Sequence, residues 1–364
     1  MILRFRGKKI SSLVTVVPQH ETRFEDELGN FNFSREKSLR LKRVMGFDRH
    51  RTVTGTTCAS DLCLTGVRHL VSTGALDLDE IGALVFVTQS PDHFIPPTSN
   101  LLQGRIGLGR DVFCMDINQG CAGFVIGLIQ SFMLLELGPI RTVLLLNGDT
   151  LSRRACQRDR NIYPMIGDAG SVAVISNDSA GLPITAFLQM DGSRCEALTV
   201  PAGGFRMPSD ASTSIEIDVG DGNYRSKDQF YMDGPAVFSF VQTEVPPMID
   251  AVLSAAGKSR DEIEYFLFHQ PNKFMLEKLA SAMHIDPARM PNNVVENYGN
   301  ASSVTIPTNI ALNLASSVTA RTIPTCMAGF GVGLTLSALV MDLGPMTRCD
   351  LVEHQDVRQA VGVS

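Results

Sequence analysis

The feature that most constrains the fold is an internal repeat, because three segments recur in the same order in the two halves of the chain. The matched segments are residues 70–91 and 253–271, 118–123 and 297–302, and 167–176 and 329–340. In the first match, a helix end with a glycine is followed by Asp-Glu-Ile, an apolar run, Gln and Pro. The three offsets are 183, 179 and 162 residues. This repeat predicts a duplicated unit whose equivalent elements face each other across a pseudo-twofold axis.

The repeated unit is predicted to belong to the α/β class. Four short apolar runs indicate buried strands, namely residues 81–89, 141–149, 171–177 and 263–270. Between them lie longer patterns typical of helices, one from Asp61 and one from Pro246. Alternation of this kind favours sheets covered by helices. We therefore expect two halves, residues 1–180 with a candidate cysteine and residues 181–364 with a candidate histidine and asparagine.

Composition argues against several classes of protein. A net charge of −6 disfavours general nucleic-acid binding. The eight cysteines include no CxxC pair, so we expect reduced thiols, with neither a disulfide framework nor a metal site. The first residues, MILRFRGKKI, lack the apolar core of a signal peptide. The most apolar stretch, residues 124–146, contains Gln130, Glu136, Pro139 and Arg141, which argues against a membrane span. These features predict a soluble cytoplasmic protein.

Cys121, in NQGCAGF (118–124), is the first candidate for catalysis. It lies just before an apolar helical pattern, where unpaired N–H groups and the helix dipole would lower the thiol pKa from about 8.5 towards neutrality. Its small neighbours leave space for an acyl group and allow backbone N–H groups to face an oxyanion. Alternatively, Cys121 is a small apolar residue of the core, as most isolated cysteines are.

The repeat relates two further polar residues to this region: Asn300 corresponds to the Cys121 turn, and His269 to the end of the strand before it. His269 ends the apolar run FLFHQPN, where it is either a core histidine or a neutral imidazole with a chemical role. Asn300, in NYGNASS, aligns with Cys121 and could instead cap the helix that follows. GFGVG (329–333) is either a packed glycine turn or a loop that donates N–H groups to an oxyanion. A nucleophilic cysteine, a neutral histidine and an asparagine together suggest acyl transfer through a thioester.

NQGCAGF, HQPN and NYGNASS resemble the cysteine, histidine and asparagine motifs of the β-ketoacyl-acyl-carrier-protein synthase III type condensing enzymes, in the same order and at similar spacing. These enzymes form part of the thiolase superfamily. IGDAGSVAV and GFGVGLTLSALV resemble the two glycine-bearing strand motifs of the family. The resemblance runs from about residue 45 to residue 342. It implies a five-layered αβαβα fold and a homodimer.

The resemblance also implies catalytic roles. Cys121 would take an acyl group from acyl-CoA, and His269 and Asn300 would hydrogen-bond the thioester carbonyl of malonyl-carrier protein while it loses carbon dioxide. The resulting enolate would attack the acyl group to give a β-ketoacyl product, with backbone N–H groups of Cys121 and Val332 holding the oxyanion. No cofactor is implied, since acyl-CoA and the malonyl-carrier protein are substrates.

The residues that would bind substrate match the family less closely. Asn272 and Arg160 match positions along the path of the CoA pantetheine and phosphates. The family's best-known members stack the CoA adenine on a tryptophan, but this chain has none, and Arg40 aligns near that place. In the family, one residue of the dimer partner lines the acyl pocket, and the matching position in this chain falls near Ile95. Fatty-acid initiation and a specialised pathway both fit these departures.

Two charged segments have no counterpart among the motifs. Residues 35–51 carry seven Lys or Arg in an otherwise acidic protein. They form either a solvated helix face or a binding patch for CoA phosphates or an acidic carrier protein. The acidic segment 214–229 indicates an excursion between strands, and no chemistry is predicted for it.

Three other functions compete with condensation. An acyltransferase of the same fold could pass the acyl group to an alcohol or an amine. A papain-like cysteine protease also has Cys, His and Asn in this order, but a CGSCW-type signature is missing. A non-enzymatic protein that binds acyl groups or a carrier protein would need one of the three residues replaced, and none is.

Overall fold

The computed structural model describes residues 1–355. The strands are β1 (Ile2–Arg6), β2 (Lys8–Pro18), β3 (Glu21–Arg23), β4 (Arg49–Arg51), β5 (Ile81–Val87), β6 (Phe113–Ile117), β7 (Thr142–Asp149), β8 (Ala169–Asn177), β9 (Pro183–Met190), β10 (Leu198–Thr199), β11 (Ile217–Asp218), β12 (Tyr224–Arg225), β13 (Tyr231–Met232), β14 (Tyr265–Phe268), β15 (Ile323–Gly331), β16 (Thr335–Leu343) and β17 (Arg348–His354). The α-helices are α1 (Phe24–Glu27), α2 (Arg35–Met45), α3 (Ala59–Ser72), α4 (Thr98–Ile106), α5 (Gly123–Leu135), α6 (Gly234–Ala256), α7 (Lys273–Ala282), α8 (Val294–Tyr298) and α9 (Thr305–Ala320).

Four neighbouring strands of each large sheet, β2-β8-β7-β5 and β9-β16-β15-β14, have the same order and relative directions. The first sheet runs β17-β2-β8-β7-β5-β6, and the second runs β1-β9-β16-β15-β14. In the first, β8 and β7 are antiparallel and β5 is parallel to β7. In the second, β16 and β15 are antiparallel and β14 is parallel to β15. The predicted repeat and the α/β class are thereby confirmed.

The two terminal strands each join the sheet of the other half. β1 pairs antiparallel with β9, and β17 pairs in parallel with β2. Both sheets are consequently built from both parts of the chain. The division into residues 1–180 and 181–364 stays a prediction.

Three layers of helix alternate with the two sheets. α5 and α9 lie between the sheets and share one apolar core with both, which includes Phe124, Leu128, Ile310 and Leu314. α3 covers the outer face of the first sheet, and α6 and α7 cover the outer face of the second. A helix between two sheets must be apolar nearly all round, as α5 is. This is the expected five-layered fold. No helix within residues 1–355 is long and apolar enough to cross a membrane.

α6 begins at Gly234, well before the start that the sequence predicted at Pro246. Pro246 and Pro247 lie inside the helix. The prediction was wrong because proline favours the first turn of a helix and usually breaks its interior. Here Val237 and Phe240 are already buried against the second sheet, and that burial stabilises the helix on the N-terminal side of the prolines.

The basic segment 35–51 forms α2 and packs against the start of α7. Ser34 caps α2 by accepting a hydrogen bond from the Lys37 N–H, and Gly46 ends it with a φ of 72°. A Cβ at Gly46 would overlap the Lys273 side chain, so the contact between the two helices requires glycine there.

A buried ion pair joins this N-terminal region to the rest of the fold. His50 Nε2 lies 3.0 Å from Glu27 Oε1, and His50 Nδ1 lies 2.6 Å from the carbonyl oxygen of Ile166. Burial alone would lower the pKa of His50, but the Glu27 carboxylate and the Ile166 carbonyl outweigh it and raise the pKa above 6.5. The imidazolium form donates from both ring nitrogens.

We expect His50→Gln to lower the free energy of unfolding by about 3 kcal/mol, because it leaves the buried Glu27 carboxylate without its cation. Since the folded-state pKa of His50 is raised, the contribution of the ion pair to the free energy of unfolding is fully present below pH 6.5. It is lost as the pH rises through the folded-state pKa. Urea unfolding of both proteins from about pH 5.5 to about pH 9 measures the difference. The control is the double variant with Glu27→Gln, which removes both charges and should recover part of the loss. An equal loss at every pH would contradict the ion pair.

Candidate active site

The three candidate catalytic residues line one cavity of about 1600 Å³. Cys121 lies in the turn before α5, His269 follows β14, and Asn300 lies in the turn before α9. The β15–β16 turn, with Gly331 and Val332, lines the same cavity. The residues meet where the two repeated units face each other, which is a frequent location for ligand sites.

The backbone of the β15–β16 turn lies close to the thiol of Cys121. A Cβ on Gly331 would lie 2.8 Å from both Cβ and Sγ of Cys121, and a Cβ on Gly120 would collide with the side chains of Gln89 and Val332. Only glycine at these two positions lets the β15–β16 turn reach the sulfur. This approach puts the Val332 N–H within hydrogen-bonding reach of Sγ.

The thiol of Cys121 is neutral in the resting protein, because burial raises its pKa to about 11. Hydrogen bonds to the sulfur from the N–H groups of Val332 and Cys121, together with the nearby Ser302 side chain, oppose this shift but do not reverse it. The expectation of a lowered pKa was wrong, since desolvation of the thiolate outweighs the effect of the helix N-terminus. A base must therefore remove the thiol proton during any reaction.

His269 is a buried, neutral imidazole whose pKa burial lowers to about 3. Its Nδ1 lies 2.8 Å from Thr305 Oγ1. The Thr305 hydroxyl also lies 3.0 Å from the carbonyl oxygen of Ser302 and accepts a hydrogen bond from the Gln270 N–H at 3.2 Å. When this hydroxyl donates to the carbonyl, Nδ1 carries the imidazole proton and Nε2 can accept one. When it donates to Nδ1, Nε2 carries the proton instead.

The side chain of Asn300 is oriented by its own turn. Its Oδ1 accepts a hydrogen bond of 2.9 Å from the Ser302 N–H, so the capping role considered from the sequence is partly met. The backbone N–H of Asn300 donates to the carbonyl of Met165, and its carbonyl accepts from the Gly167 N–H. With Oδ1 engaged, the Nδ2 donor has no partner within residues 1–355 and is available to a ligand in the cavity.

Ser302 is a site residue that the sequence analysis missed. Its φ of 53° is a strained conformation for a non-glycine residue, and such residues cluster at functional sites. Its hydroxyl contacts the Cys121 sulfur and donates to Gln89 Oε1 at 3.0 Å. No pattern around residue 302 indicates a positive φ, because serine is common in turns of every type.

Asp149, at the end of β7, carries a buried carboxyl group near the thiol. Its Oδ1 accepts hydrogen bonds from the Gln89 N–H at 2.7 Å and from the hydroxyls of Ser90 and Thr88. Burial outweighs these bonds and raises the pKa of Asp149 to about 7. Ionisation of this carboxyl group makes the thiolate of Cys121 less favourable.

Arg160 is held within the protein. Its guanidinium stacks on Phe33, 3.7 Å from the ring centroid, and donates to the carbonyl oxygen of Asp221. Its backbone N–H donates to Asn223 Oδ1 at 3.1 Å. Arg160 lines the cavity, but only 8% of its surface is exposed. The acidic segment 214–229, for which no chemistry was predicted, thus supports a wall of the cavity.

The other residues predicted to bind substrate lie in different environments. Asn272 is buried in the cavity wall, where its Oδ1 caps α7 by accepting a hydrogen bond of 2.8 Å from the Met275 N–H. Ile95 lies at the rim, with 84% of its surface exposed. Arg40 is exposed and does not line the cavity, because the face of α2 that does so is apolar and includes Leu41. The predicted substrate-binding roles of Arg40, Asn272 and Ile95 all stay predictions.

Comparison with known proteins identifies the family of this chain. The sequence profile described as 3-oxoacyl-[acyl-carrier-protein (ACP)] synthase III matches residues 115–192, and the profile of its C-terminal part matches residues 253–343. The beta-ketoacyl-[acyl-carrier-protein] synthase III of Levilactobacillus brevis is 30% identical over 300 residues, which are 81% of this chain and 87% of that protein. The chain belongs to the synthase III family. It is an acyltransferase of the condensing-enzyme type.

Other synthase III proteins are similar over nearly the whole chain. A putative 3-oxoacyl-[acyl-carrier-protein] synthase 3 of Campylobacter jejuni is 28% identical over 345 residues, 94% of this chain and 96% of that protein. The structure of a 3-oxoacyl-(acyl-carrier protein) synthase from Burkholderia xenovorans LB400 matches with a TM-score of 0.90 and 31% identity. The match spans 97% of this chain and 99% of the Burkholderia chain. The family and the thiolase-like fold expected from the sequence are confirmed.

We expect Cys121 of this synthase III to react slowly with iodoacetamide at pH 8, where a thiol with a pKa of about 11 is ionised to about one part in a thousand. Asp149→Asn should leave the rate unchanged well below pH 7, where the wild-type carboxyl is neutral, and raise it above pH 7, where the wild-type charge opposes thiolate formation. Peptide mass spectrometry measures alkylation of Cys121, with the exposed Cys195 as internal reference. Identical pH profiles for the two proteins would show that Asp149 does not act on the thiol.

We expect the ring of His269 to stay neutral from about pH 8 down to about pH 5, because its pKa is lowered to about 3. Nitrogen-15 NMR of labelled histidine measures the protonation of each ring nitrogen, with His269→Ala assigning the signal. Thr305→Val removes the hydroxyl partner of Nδ1 and should shift the ring signals, whereas Thr305→Ser, which keeps the hydroxyl, should not. Titration of His269 with a midpoint near 6.5 would contradict the buried neutral form.

Proposed function

We propose that this synthase III forms an acyl thioester on Cys121 and condenses it with a malonyl thioester, releasing carbon dioxide and a β-ketoacyl product. The observation that carries the proposal is the set of groups around one cavity: a thiol, a backbone N–H beside its sulfur, a neutral imidazole and an unengaged amide Nδ2. The relatives named as 3-oxoacyl- and beta-ketoacyl-[acyl-carrier-protein] synthases support the same chemistry.

In the first half-reaction, Cys121 takes the acyl group from a thioester. His269 Nε2 accepts the thiol proton while the sulfur attacks the acyl carbonyl carbon, and the N–H groups of Cys121 and Val332 hydrogen-bond the tetrahedral oxyanion. As the oxyanion collapses, the carbon–sulfur bond of the donor breaks and the departing thiolate takes the proton from Nε2. Because the pKa of Cys121 is raised and that of His269 is lowered, transfer of the thiol proton to Nε2 is uphill and must accompany formation of the carbon–sulfur bond, and the imidazolium then returns the proton readily.

In the second half-reaction, the malonyl carboxylate leaves as carbon dioxide and its bonding electrons enter the thioester carbonyl. The enolate oxygen accepts hydrogen bonds from His269 Nε2–H and from Asn300 Nδ2–H. The enolate carbon then attacks the acyl carbonyl, and the sulfur of Cys121 leaves as thiolate. Uptake of one proton restores the thiol, as a pKa of about 11 requires at neutral pH. Because the Thr305 hydroxyl can partner either tautomer, the ring can exchange protons with water between the two half-reactions.

We also propose that the chain acts as a homodimer, with a carrier protein as a further partner. β6 is an edge strand of the first sheet, and Phe113 on this strand is half-exposed. Phe94 and Ile95, in the loop after β5, are exposed over 71% and 84% of their surfaces. An unpaired strand edge beside exposed apolar side chains favours pairing with a second copy. The absence of a cofactor and of nucleic-acid binding, and the cytoplasmic location, stay predictions.

We expect intact-protein mass spectrometry to show a mass gain of one acyl group when the protein is incubated with acyl thioesters, and no gain for Cys121→Ala. Adding a malonyl thioester should then remove the acyl group and release carbon dioxide. Asn300→Ala should slow this second step more than the first, because its amide contacts only the enolate. An acyl group that leaves only when an alcohol or an amine is added would favour transfer without condensation. Full condensing activity of Cys121→Ala would overturn the proposal.

A further inference from the structure

Ser302 contacts all three of the candidate catalytic residues. Its N–H donates to Asn300 Oδ1 at 2.9 Å. Its carbonyl oxygen lies within hydrogen-bonding reach of the His269 ring. Its hydroxyl lies beside the sulfur of Cys121 and 3.0 Å from Gln89 Oε1. The backbone of Ser302 therefore orients the amide and the imidazole, whereas its hydroxyl is free to act on the sulfur.

The φ of 53° at Ser302 allows one residue to face three neighbours. A residue with a Cβ meets a steric cost in this left-handed conformation, and the surrounding structure must hold it there. The hydrogen bond to Asn300 and the Thr305 hydroxyl, 3.0 Å from the carbonyl oxygen of Ser302, do so. Glycine would adopt the same turn without that cost, but it would place no group beside the sulfur.

The hydroxyl of Ser302 has one proton and two acceptors in reach. In the resting protein Cys121 is a neutral thiol, whose sulfur is a weak acceptor, and the proton points to Gln89 Oε1. Gln89 is fixed for this contact because its N–H donates to Asp149 Oδ1 at 2.7 Å. Its Oε1 also lies against the cysteine turn, where a Cβ on Gly120 would be only 2.5 Å away.

A negative charge on the sulfur changes which acceptor is preferred. Hydrogen bonds to ionised acceptors are about twice as strong as those to neutral ones. A hydroxyl exchanges acceptors by rotating about its C–O bond, without movement of a heavy atom. When Cys121 becomes a thiolate, the Ser302 hydroxyl gains more by donating to the sulfur than by donating to the amide oxygen of Gln89. That bond adds to the one from the Val332 N–H.

We propose that Ser302 is a further catalytic residue, whose hydroxyl turns from Gln89 to the Cys121 sulfur whenever that sulfur carries negative charge. This inference rests on the proposed function, in which the charge forms as the thiol loses its proton and again as the sulfur leaves the condensed product. The hydroxyl keeps its proton throughout, so one hydrogen bond forms and another breaks. Removing the hydroxyl and removing its resting acceptor must consequently have opposite effects on the thiolate.

The test measures ionisation of Cys121 without acyl chemistry, as the rate of its alkylation by iodoacetamide at several pH values. Peptide mass spectrometry follows the reaction, with the exposed Cys195 as internal reference. Ser302→Ala should lower the rate about tenfold, because a hydrogen bond to a charged acceptor shifts a pKa by about one unit. Gln89→Met, which removes the competing oxygen, should raise the rate about threefold. In the Ser302→Ala background, Gln89→Met should change nothing, because the two effects share one proton.

Two further variants separate the hydroxyl from the backbone. Ser302→Gly also lacks the hydroxyl but adopts the φ of 53° without strain, so it should lower the rate as Ser302→Ala does. Ser303→Ala is the matched control and should leave the rate unchanged, since the Ser303 hydroxyl has no hydrogen-bond partner within residues 1–355. An unchanged or higher rate in both Ser302 variants would overturn the proposal. A lower rate in Gln89→Met would overturn it as well, because the amide would then support the thiolate and not compete with it.

The alkylation series also separates this proposal from the function on which it rests. If wild-type protein forms and condenses the acyl thioester but Ser302→Ala alkylates at the wild-type rate, the condensing function stands and the role of Ser302 is removed. If no acyl thioester acylates Cys121 while the Ser302 and Gln89 variants shift alkylation in opposite directions, the hydrogen bond to the thiolate stands and the condensing function is removed.

Discussion

Burial of the catalytic groups where the two repeated units meet is the constraint on which the rest of the site depends. Burial shifts the pKa of Cys121, His269 and Asp149 in the direction of their uncharged forms. Holding a permanent thiolate and imidazolium in the same place would carry a desolvation cost of several kcal/mol for each ion. The fold instead keeps neutral groups and orients them through Ser302 and Thr305. Charge then develops only on bound substrate, against donors that are already in position.

Backbone packing determines how closely these groups can meet. Gly120 and Gly331 remove the two Cβ atoms that would separate the β15–β16 turn from the sulfur. The wall at the opposite side of the cavity depends on side chains instead, because Arg160 joins Phe33 to the β11–β12 hairpin. One side of the site is therefore fixed by the repeated unit, and the other by segments outside it. The first side carries the groups that react, and the second side borders the path by which a substrate reaches them.

The sequence predicts the parts of this protein that depend on local pattern or on the repeat. The duplicated α/β unit, the buried α5 and the convergence of Cys121, His269 and Asn300 follow from them. It does not predict effects that arise between segments distant along the chain. A helix N-terminus is visible in NQGCAGF, but the burial that outweighs its effect on Cys121 involves segments distant along the chain, such as the β15–β16 turn at Gly331. Likewise, no local pattern around residues 35–51 shows that Leu41 and Met45 are the residues of α2 that line the cavity.

The exchange of terminal strands bears on how the chain reaches this structure. β17 completes the sheet that β2 begins, and the Thr347 N–H donates to the carbonyl of Ser11 just before it. During synthesis on the ribosome, the edge of β2 that accepts β17 stays open until residues 348–354 have emerged. Open edges of this kind pair readily with other chains. The first sheet is therefore complete only when β17, which is distant from β2 along the chain, has paired with this edge.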